Sequence, residues 1–165
     1  MRTQAADIGL AIIGGGRVGL FRGEVANRHP AVKWIGLAEK NPNRAGDVAP
    51  KIGADFVTQS HVELLKRPEV TCAIIATDEH LHVEPIMAAI ERGIPLLIEK
   101  PLATDLAQSA RVLKAIKDTG KFDIGGLPMT FSAEKNEGLD KVFMTIIQED
   151  GTFKPIEKMV RISSN

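Results

Sequence analysis

Residues 8–19 read IGLAIIGGGRVG, an apolar run followed at once by a glycine cluster. The apolar run predicts a buried strand, and the residues after the glycines predict a helix that begins near Arg17. Gly14, Gly16 and Gly19 have the spacing G-x-G-x-x-G. In that pattern the first glycine allows a tight turn, the second lets the backbone approach a pyrophosphate, and the third allows close helix–strand contact. Amides at the helix start would face the phosphates. The residues predicted to bind a dinucleotide here are Gly14, Gly16, Arg17, Val18 and Gly19.

An acidic residue ends the second apolar run. Glu39 follows Gly19 by about twenty residues, where a carboxylate accepts hydrogen bonds from the ribose hydroxyls of a dinucleotide. A structural turn without a ligand is the alternative for the glycines alone, and Glu39 favours the dinucleotide. Its charge would repel a 2′-phosphate, which favours NAD over NADP. Lys40, also predicted at the cofactor, and Arg44 would either pair with such a phosphate or belong to a solvated helix start.

Short apolar runs alternate with amphipathic segments from residue 7 to about residue 120. Most of these runs are apolar throughout, as in parallel strands covered on both faces. The alternation is typical of repeated strand and helix units. We therefore predict an α/β fold with a doubly wound, mostly parallel sheet. The predicted strands are residues 8–13, 32–38, 54–57, 72–76 and 95–98.

Several helix ends carry recognisable signals. Ser60 and Glu63 match a capping box, in which each side chain would bond the other residue's amide. Gly93 stands where a left-handed residue would follow a helix over residues 78–92. Thr104 is predicted to cap the next helix. The predicted buried stripe of that helix consists of Leu106, Ala110, Leu113 and Ile116.

The pattern changes after Gly120. We divide the chain into a dinucleotide-binding domain over residues 1–127 and an irregular segment over residues 128–165. Residues 121–127 are a candidate sixth strand. The irregular segment is expected to be either the start of a second domain that stops early or an unrelated tail.

The irregular segment is predicted to contain one amphipathic helix and one short strand. Apolar residues at three- and four-residue spacing predict the helix over residues 136–148, and the strand is predicted after Pro155. An unpaired strand edge and an apolar helix face would need cover, so a homo-oligomer through this tail is a candidate. The apolar face consists of Val142, Phe143, Ile146 and Ile147.

The composition argues against several classes of partner. Lys plus Arg and Asp plus Glu number 21 each, so no net field favours nucleic acid or an anionic membrane. Aromatic residues make up 4% of the chain, which argues against a base-stacking surface. Cys72 is the single cysteine, which predicts a buried core residue and no internal disulfide. No run reaches the ~20 apolar residues of a membrane span, and a cytoplasmic protein without a nucleic-acid or membrane partner is expected.

Four stretches form a recognisable set: residues 14–19, residues 39–42, residues 74–77 with His80 and His82, and residues 93–103. Together they resemble the Gfo/Idh/MocA family of NAD(P)-dependent oxidoreductases, over residues 7–120. The resemblance implies a Rossmann domain that binds NAD, with NADP possible, and hydride transfer to or from a sugar, polyol or related carbonyl compound. It implies that Thr77 borders the cofactor, that Glu99 lies near the nicotinamide and that Lys100 is the catalytic acid/base. His82 matches a family histidine and is placed with the cofactor residues.

The position of Lys100 agrees with that role on independent grounds. It follows the predicted strand that ends at Ile98, and so belongs at the carboxyl edge of the sheet, where open α/β folds bind ligands. There its amine could accept the hydroxyl proton of an alcohol as a hydride leaves. A surface lysine at a strand end is the alternative.

The chain departs from the family pattern after residue 120. Family members continue into a second domain that carries most substrate contacts, often with a further histidine and aspartate. Residues 121–165 contain no histidine, and Thr130 stands where the family often has an arginine. Two functions stay open: an oxidoreductase, which we favour, and a dinucleotide-binding module without the substrate half. No metal is predicted, because His80 and Glu84 have no evident third ligand.

Overall fold

The computed structural model describes residues 7–124, 127–135, 145–147 and 153–155. Its strands are β1 (Ile8–Ile13), β2 (Val32–Ala38), β3 (Phe56–Thr58), β4 (Cys72–Ile75), β5 (Leu96–Ile98), β6 (Lys121–Ile124), β7 (Leu127–Thr130), β8 (Thr145–Ile147) and β9 (Phe153–Pro155). Its helices are α1 (Arg17–Asn27), α2 (Pro42–Ile52), α3 (His61–Leu65), α4 (Val83–Glu91) and α5 (Leu106–Thr119), with a 3-10 turn at Glu79–Leu81. Of the helices in this part of the chain, none is long and apolar enough to cross a membrane.

The first five strands form one parallel sheet in the order β3-β2-β1-β4-β5. Each strand is joined to the next through a helix, as parallel pairing requires. The chain winds outward from β1 to β3 and then returns to the other side of β1. The predicted α/β fold with a doubly wound parallel sheet is therefore confirmed. The point where the strand order reverses lies between β1 and β4, and ligands bind at such points in open α/β sheets.

The apolar core lies on both faces of this sheet. Along β1, Leu10 and Ile12 pack on the face covered by α1 and α2, whereas Ala11 and Ile13 pack on the face covered by α3, α4 and α5. Both faces of β1 are buried, which explains why its sequence is apolar without alternation. Burying one such large side chain stabilises the fold by about 1.5–3 kcal/mol.

The start of α3 shows half of the predicted capping box. Ser60 Oγ accepts a hydrogen bond from the Glu63 amide at 3.2 Å, as predicted. The Glu63 carboxylate does not return to the Ser60 amide; it accepts from the Thr58 hydroxyl, and the Thr58 Oγ1 accepts from the Ser60 amide. The Thr58 hydroxyl thus bridges the Glu63 carboxylate and the Ser60 amide, which a complete capping box would join directly.

The cap of α5 lies one residue later than predicted. Asp105 Oδ1 accepts a hydrogen bond from the Gln108 amide at 2.8 Å, so the prediction of Thr104 as the cap was wrong. A carboxylate accepts such a bond as well as a hydroxyl does, and the two residues are adjacent. Gly93 has φ +65°, which confirms the left-handed residue predicted after α4.

The predicted buried stripe of α5 was wrong for three of its four residues, since only Ile116 packs against the core. Leu106 is 90% exposed and Leu113 is 40% exposed, whereas Val112 is buried completely. The helix is rotated so that Val112, with the partly buried Ile116, packs onto the core. Ala110 is exposed with Leu106. Apolar spacing gave the helix correctly but not which side of it faces the sheet.

The segments after α5 form two separate antiparallel pairs. β6 pairs with β7, so the candidate sixth strand exists but lies in a hairpin rather than in the parallel sheet. β8 pairs with β9. The predicted helix over residues 136–148 was wrong for residues 145–147, where a run of β-branched residues forms β8; its remainder lies outside the described residues. The short strand β9 ends at Pro155 rather than following it.

Candidate functional site

The carboxyl ends of β1, β2 and β4 open into one cleft of about 470 Å³. It lies where the strand order reverses, which is the expected ligand position in this architecture. Backbone from the glycine turn and side chains from several loops line it. The lining residues used below are Gly14, Gly16, Glu39, Lys40, Arg44, His61 and Thr77.

Of the three glycines in the G-x-G-x-x-G pattern, only Gly16 leaves space for a ligand. Gly14 has φ +100°, and a Cβ there would lie 2.5 Å from the Ala76 carbonyl oxygen. A Cβ on Gly19 would lie 1.9 Å from the Gly14 carbonyl oxygen, because α1 packs directly against the turn. A Cβ on Gly16 would meet nothing within 4 Å. The open space beside Gly16 belongs to the cleft, which is the geometry that close approach of a pyrophosphate requires.

The first turn of α1 follows directly. Gly16 is the N-cap, and no side chain of the described residues hydrogen-bonds to this helix start. The first amides of a helix lack partners within it, and the helix dipole there favours an anion. Arg17 and Val18 are exposed on this turn. Both predicted residues can therefore present backbone amides, and Arg17 a positive charge, to a phosphate.

Glu39 joins two elements at the floor of the cleft. The residue is only 6% exposed. Its Oε2 accepts a hydrogen bond from the Gly15 amide at 2.7 Å, and its Oε1 accepts from the Asn41 amide at 2.8 Å. The Arg44 guanidinium lies 3.6 Å from Oε2. A carboxylate offers about four lone-pair positions, so these contacts leave capacity for ribose hydroxyls.

Positively charged and titratable groups surround Glu39. Lys40 and Arg44 follow β2, and His61 begins α3 after β3. Partial burial and the neighbouring Lys40 charge hold the pKa of His61 below its usual 6.5, while Glu84 opposes this. Sequence reasoning missed His61, although the loop after β3 is a neighbour of the loop after β2 in any such sheet. An anion bound here would favour the charged form of His61.

Thr77 lies in the loop after β4 and lines the cleft. Its hydroxyl oxygen is buried and has no hydrogen-bond partner among the described residues. The preceding residue is fixed, because the Ala76 amide donates to the Ile13 carbonyl oxygen at 2.8 Å. Buried polar atoms are nearly always hydrogen-bonded, so an unpaired hydroxyl in a cleft wall is a candidate ligand contact.

His82 does not line the cleft. Its side chain is fully buried, with Nδ1 2.9 Å from the Pro101 carbonyl oxygen and Nε2 3.1 Å from the Thr77 carbonyl oxygen. The structure thus gives His82 no surface for direct contact with a cofactor, in contrast to its predicted place among the cofactor residues. His80, on the 3-10 turn, is exposed and lines the cleft instead.

Glu99 lies at the end of β5 and is held by α1. Its amide donates to the Ile75 carbonyl oxygen at 3.0 Å. Its Oε1 accepts from Arg22 Nε at 2.9 Å and lies 2.7 Å from Arg22 Nη2. Arg22 precedes Glu99 by 77 residues, so no local sequence signal could have predicted this ion pair.

Lys100 is exposed and lies outside the cleft lining. Within the described residues its amine has no hydrogen-bond or ion-pair partner. The residues on either side of it are fixed, Glu99 by Arg22 and Pro101 by His82. Lys100 therefore lies at the carboxyl end of β5, one strand away from β4 and Thr77, and is not brought together with Glu39.

The remaining reactive side chains bear on two further kinds of site, a metal site and a reactive thiol. Across the described ranges, no group of three histidine, cysteine, aspartate or glutamate side chains could hold a metal ion. Cys72 is partly exposed at the start of β4 rather than fully buried as predicted, because β4 begins near the edge of the core. Burial raises the pKa of its thiol, and a hydrogen bond with Thr71 opposes this.

Comparison with known proteins agrees with this geometry. Residues 8–124 match the family described as "Oxidoreductase family, NAD-binding Rossmann fold". The chain is 29% identical over 111 residues to scyllo-inositol 2-dehydrogenase (NAD(+)) of Bacillus subtilis (strain 168), covering 67% of this chain and 32% of that protein. It is 30% identical over 120 residues to levoglucosan dehydrogenase of Pseudarthrobacter phenanthrenivorans, covering 68% and 31%. The chain thus spans about a third of the length of these relatives.

Solved structures give the same result. Levoglucosan dehydrogenase in complex with NADH matches with a TM-score of 0.61 and 30% identity, over 68% of this chain and 32% of that one. GenD2 from gentamicin A biosynthesis, in complex with NAD, matches with a TM-score of 0.64 and 26% identity, over 72% and 34%. Both of these structures contain a nicotinamide dinucleotide.

Proposed function

Because the chain belongs to the oxidoreductase family with an NAD-binding Rossmann fold, we propose that its cleft binds NAD for hydride transfer to or from a sugar, polyol or related carbonyl compound. The names of relatives supply the substrate class, since they include an inositol and a levoglucosan dehydrogenase. One observation carries the proposal: a Cβ on Gly16 would meet nothing within 4 Å, whereas a Cβ on Gly14 or Gly19 would clash with backbone. A cytoplasmic location is part of the same proposal.

The residues of the cleft fit the parts of the cofactor. The pyrophosphate would lie beside Gly16 at the start of α1, where the amides of Arg17 and Val18 are available. Glu39 would hold the ribose hydroxyls of the adenosine half with the lone pairs that its backbone contacts leave free. The unpaired Thr77 hydroxyl would hydrogen-bond to the same ligand. NAD, when bound, supplies the acceptor or donor of the hydride.

Lys100 would hold or deliver the proton of the substrate hydroxyl at its Nζ atom. The amine is accessible and unpartnered within the described residues. Its place at the carboxyl end of β5 is the edge of the sheet on which the cleft also opens. The Glu99 carboxylate is neutralised by Arg22, so it orients the loop rather than competing for the proton.

The charges around Glu39 bear on the choice of cofactor. The buried Glu39 carboxylate disfavours the 2′-phosphate of NADP, whereas Arg44 and Lys40 beside it favour it. Arg44 is already oriented toward Glu39 and partly neutralised by it. We propose that NADH binds more tightly than NADPH. The difference between the two affinities should be smaller if Arg44 turns from Glu39 toward the 2′-phosphate.

Calorimetric titration with NADH and NADPH tests the binding proposal. Gly16→Asp would place a carboxylate in the open space where the pyrophosphate would lie. We expect NADH to bind at least about tenfold more weakly, which corresponds to a loss of about 1.4 kcal/mol in binding free energy. Gly46→Asp is the matched control, because a Cβ on Gly46 also meets nothing within 4 Å and lies on α2 outside the cleft. Equal NADH affinity of both variants and the parent would reject the cofactor site.

Turnover needs a separate assay. Polyols and sugars are screened as substrates with NAD, using the parent chain and the Lys100→Gln variant. Lys51→Gln, which changes an exposed lysine on α2, is the control. Loss of activity only in Lys100→Gln, with NADH affinity unchanged, would support the proton role. NADH binding without turnover in the parent chain would favour the dinucleotide-binding module.

A further inference from the structure

Two polar or charged residues are buried among the described residues, Glu39 and His82, and only Glu39 has a role in the proposed site. The His82 ring lies between two loops that the sheet keeps apart. Its Nε2 faces the Thr77 carbonyl oxygen in the loop after β4, and its Nδ1 faces the Pro101 carbonyl oxygen in the loop after β5. Through these two contacts the ring links the loops directly.

The chemistry of the contact depends on the ring being histidine. Carbonyl oxygens only accept hydrogen bonds, so each ring nitrogen can bond only by donating an N–H. A neutral imidazole has one N–H and holds one loop at a time, whereas the doubly protonated ring holds both. A leucine would fill a similar volume among the apolar neighbours of α4 but would leave both carbonyl oxygens without this donor. Packing alone therefore does not explain the residue.

The two linked loops carry different parts of the proposed site. Thr77 lines the cleft and carries the buried, unpaired hydroxyl. Pro101 directly follows Lys100, and Glu99 on the other side of Lys100 is fixed by Arg22 from α1. The backbone of Lys100 is thus held on both flanks while its amine stays accessible.

We propose that His82 is a positioning residue that couples the cofactor wall at Thr77 to the Lys100 loop, so that occupancy of the cleft fixes the placement of the Lys100 amine. The role of His82 in catalysis rests on the proposed function. The link between the two loops does not, because it is present in the ligand-free chain. His82 acts through the two loops and touches neither ligand nor reacting atoms.

Hydrogen–deuterium exchange of the whole chain tests the link, with and without NADH. In His82→Leu, amides of residues 76–78 and 99–104 should exchange about fivefold faster together, the effect of losing one net hydrogen bond. NADH should slow exchange in both segments of the parent but only in residues 76–78 of His82→Leu. His82→Gln, which retains an N–H donor, should restore part of the NADH response at residues 99–104.

The control is His29→Leu, in an exposed turn before β2 at the opposite edge of the sheet. It should leave both segments unchanged. An unaltered NADH response of residues 99–104 in His82→Leu, or in His82→Ala should the leucine variant not fold, would overturn the coupling. If NADH does not bind the parent, the proposed function fails, but the link is still tested in the ligand-free proteins. Faster exchange of both segments in ligand-free His82→Leu than in the parent would establish the link, and unchanged exchange would reject it.

Discussion

The glycine turn and the Lys100 loop lie at the same edge of the sheet but are held in different ways. Close backbone approaches fix the turn, with α1 against Gly14 and Gly14 against the loop after β4. Side chains from other elements fix the loop, through Arg22 and His82. Backbone contacts of this kind tolerate no added atom, whereas side-chain contacts can be removed one at a time. The part that would bind the cofactor is therefore rigid, and the part that would carry the proton is adjustable.

The largest effect on this contrast is expected from one methyl group added on α1 where it packs against the turn. Gly19→Ala would place a Cβ 1.9 Å from the Gly14 carbonyl oxygen, so α1 must move. We expect a loss of about 3 kcal/mol in the free energy of unfolding, at the upper end for overpacking. Urea denaturation measures it. Gly46→Ala is the control and should gain about 0.5–1 kcal/mol, as for Gly to Ala in an open helix position. Equal stability of the two variants would contradict the close approach.

Removing the Glu39 charge should have the next largest effect. In Glu39→Gln the amide nitrogen must face either the Gly15 or the Asn41 amide, and two donors cannot bond. We expect a stability loss of about 1–3 kcal/mol, the cost of an unsatisfied buried group. NADH should bind about tenfold more weakly by calorimetry. Glu91→Gln, exposed at the end of α4, should change neither quantity. Unchanged NADH affinity in Glu39→Gln would argue against a ribose contact.

The Lys100 loop should respond more mildly. Arg22→Gln removes the partner of Glu99 from an ion pair whose side chains are 41% and 22% exposed. Exposed pairs contribute about 0–1 kcal/mol, so stability should fall by less than about 1 kcal/mol. Exchange of residues 99–104 should rise while NADH affinity stays within about twofold. A large loss of NADH affinity would show that this loop also holds the cofactor, and Lys114→Gln, from an exposed helix pair, serves as control.

The smallest expected effect is on the protonation of His61. Its folded-state pKa is lowered, so the unfolded chain binds the proton more tightly. Its contribution to stability is therefore fully present above pH 6.5, and it is lost as the pH falls from there through the lower pKa of the folded state. Lys40→Gln should raise the pKa of His61 in a proton NMR titration, because it removes a lowering charge. Lys51→Gln should leave it unchanged, and the same pKa in all three proteins would mean that burial alone lowers it.

The sequence predicted the backbone part of the site well. The family resemblance, the parallel sheet and the NAD-binding Rossmann domain are confirmed. These follow from residues adjacent in the chain, such as the strand, turn and helix around Gly14, whose geometry is set by local backbone preferences. The carboxylate at Glu39 followed from its spacing to that turn.

The side-chain part could not be predicted to the same extent. Arg22 and Glu99 lie far apart in sequence, and nothing near either of them indicates the other. The resemblance placed His82 at the cofactor because it matches a family histidine after the same strand as Thr77, but the 3-10 turn directs it into the interior. In the tail, helical spacing of apolar residues competed with a β-branched run at residues 145–147, and strand pairing prevailed.

The hydrogen bonds of Glu39 have a consequence for kinetics. The carboxylate is already immobilised by the Gly15 and Asn41 amides in the ligand-free chain. Ordering a free side chain on association costs about 0.5–1.5 kcal/mol, and that cost is met here during folding. Capture of a nucleotide by this preorganised floor needs no rotamer search, so its rate should rise linearly with nucleotide concentration, without the plateau that a preceding rearrangement would impose.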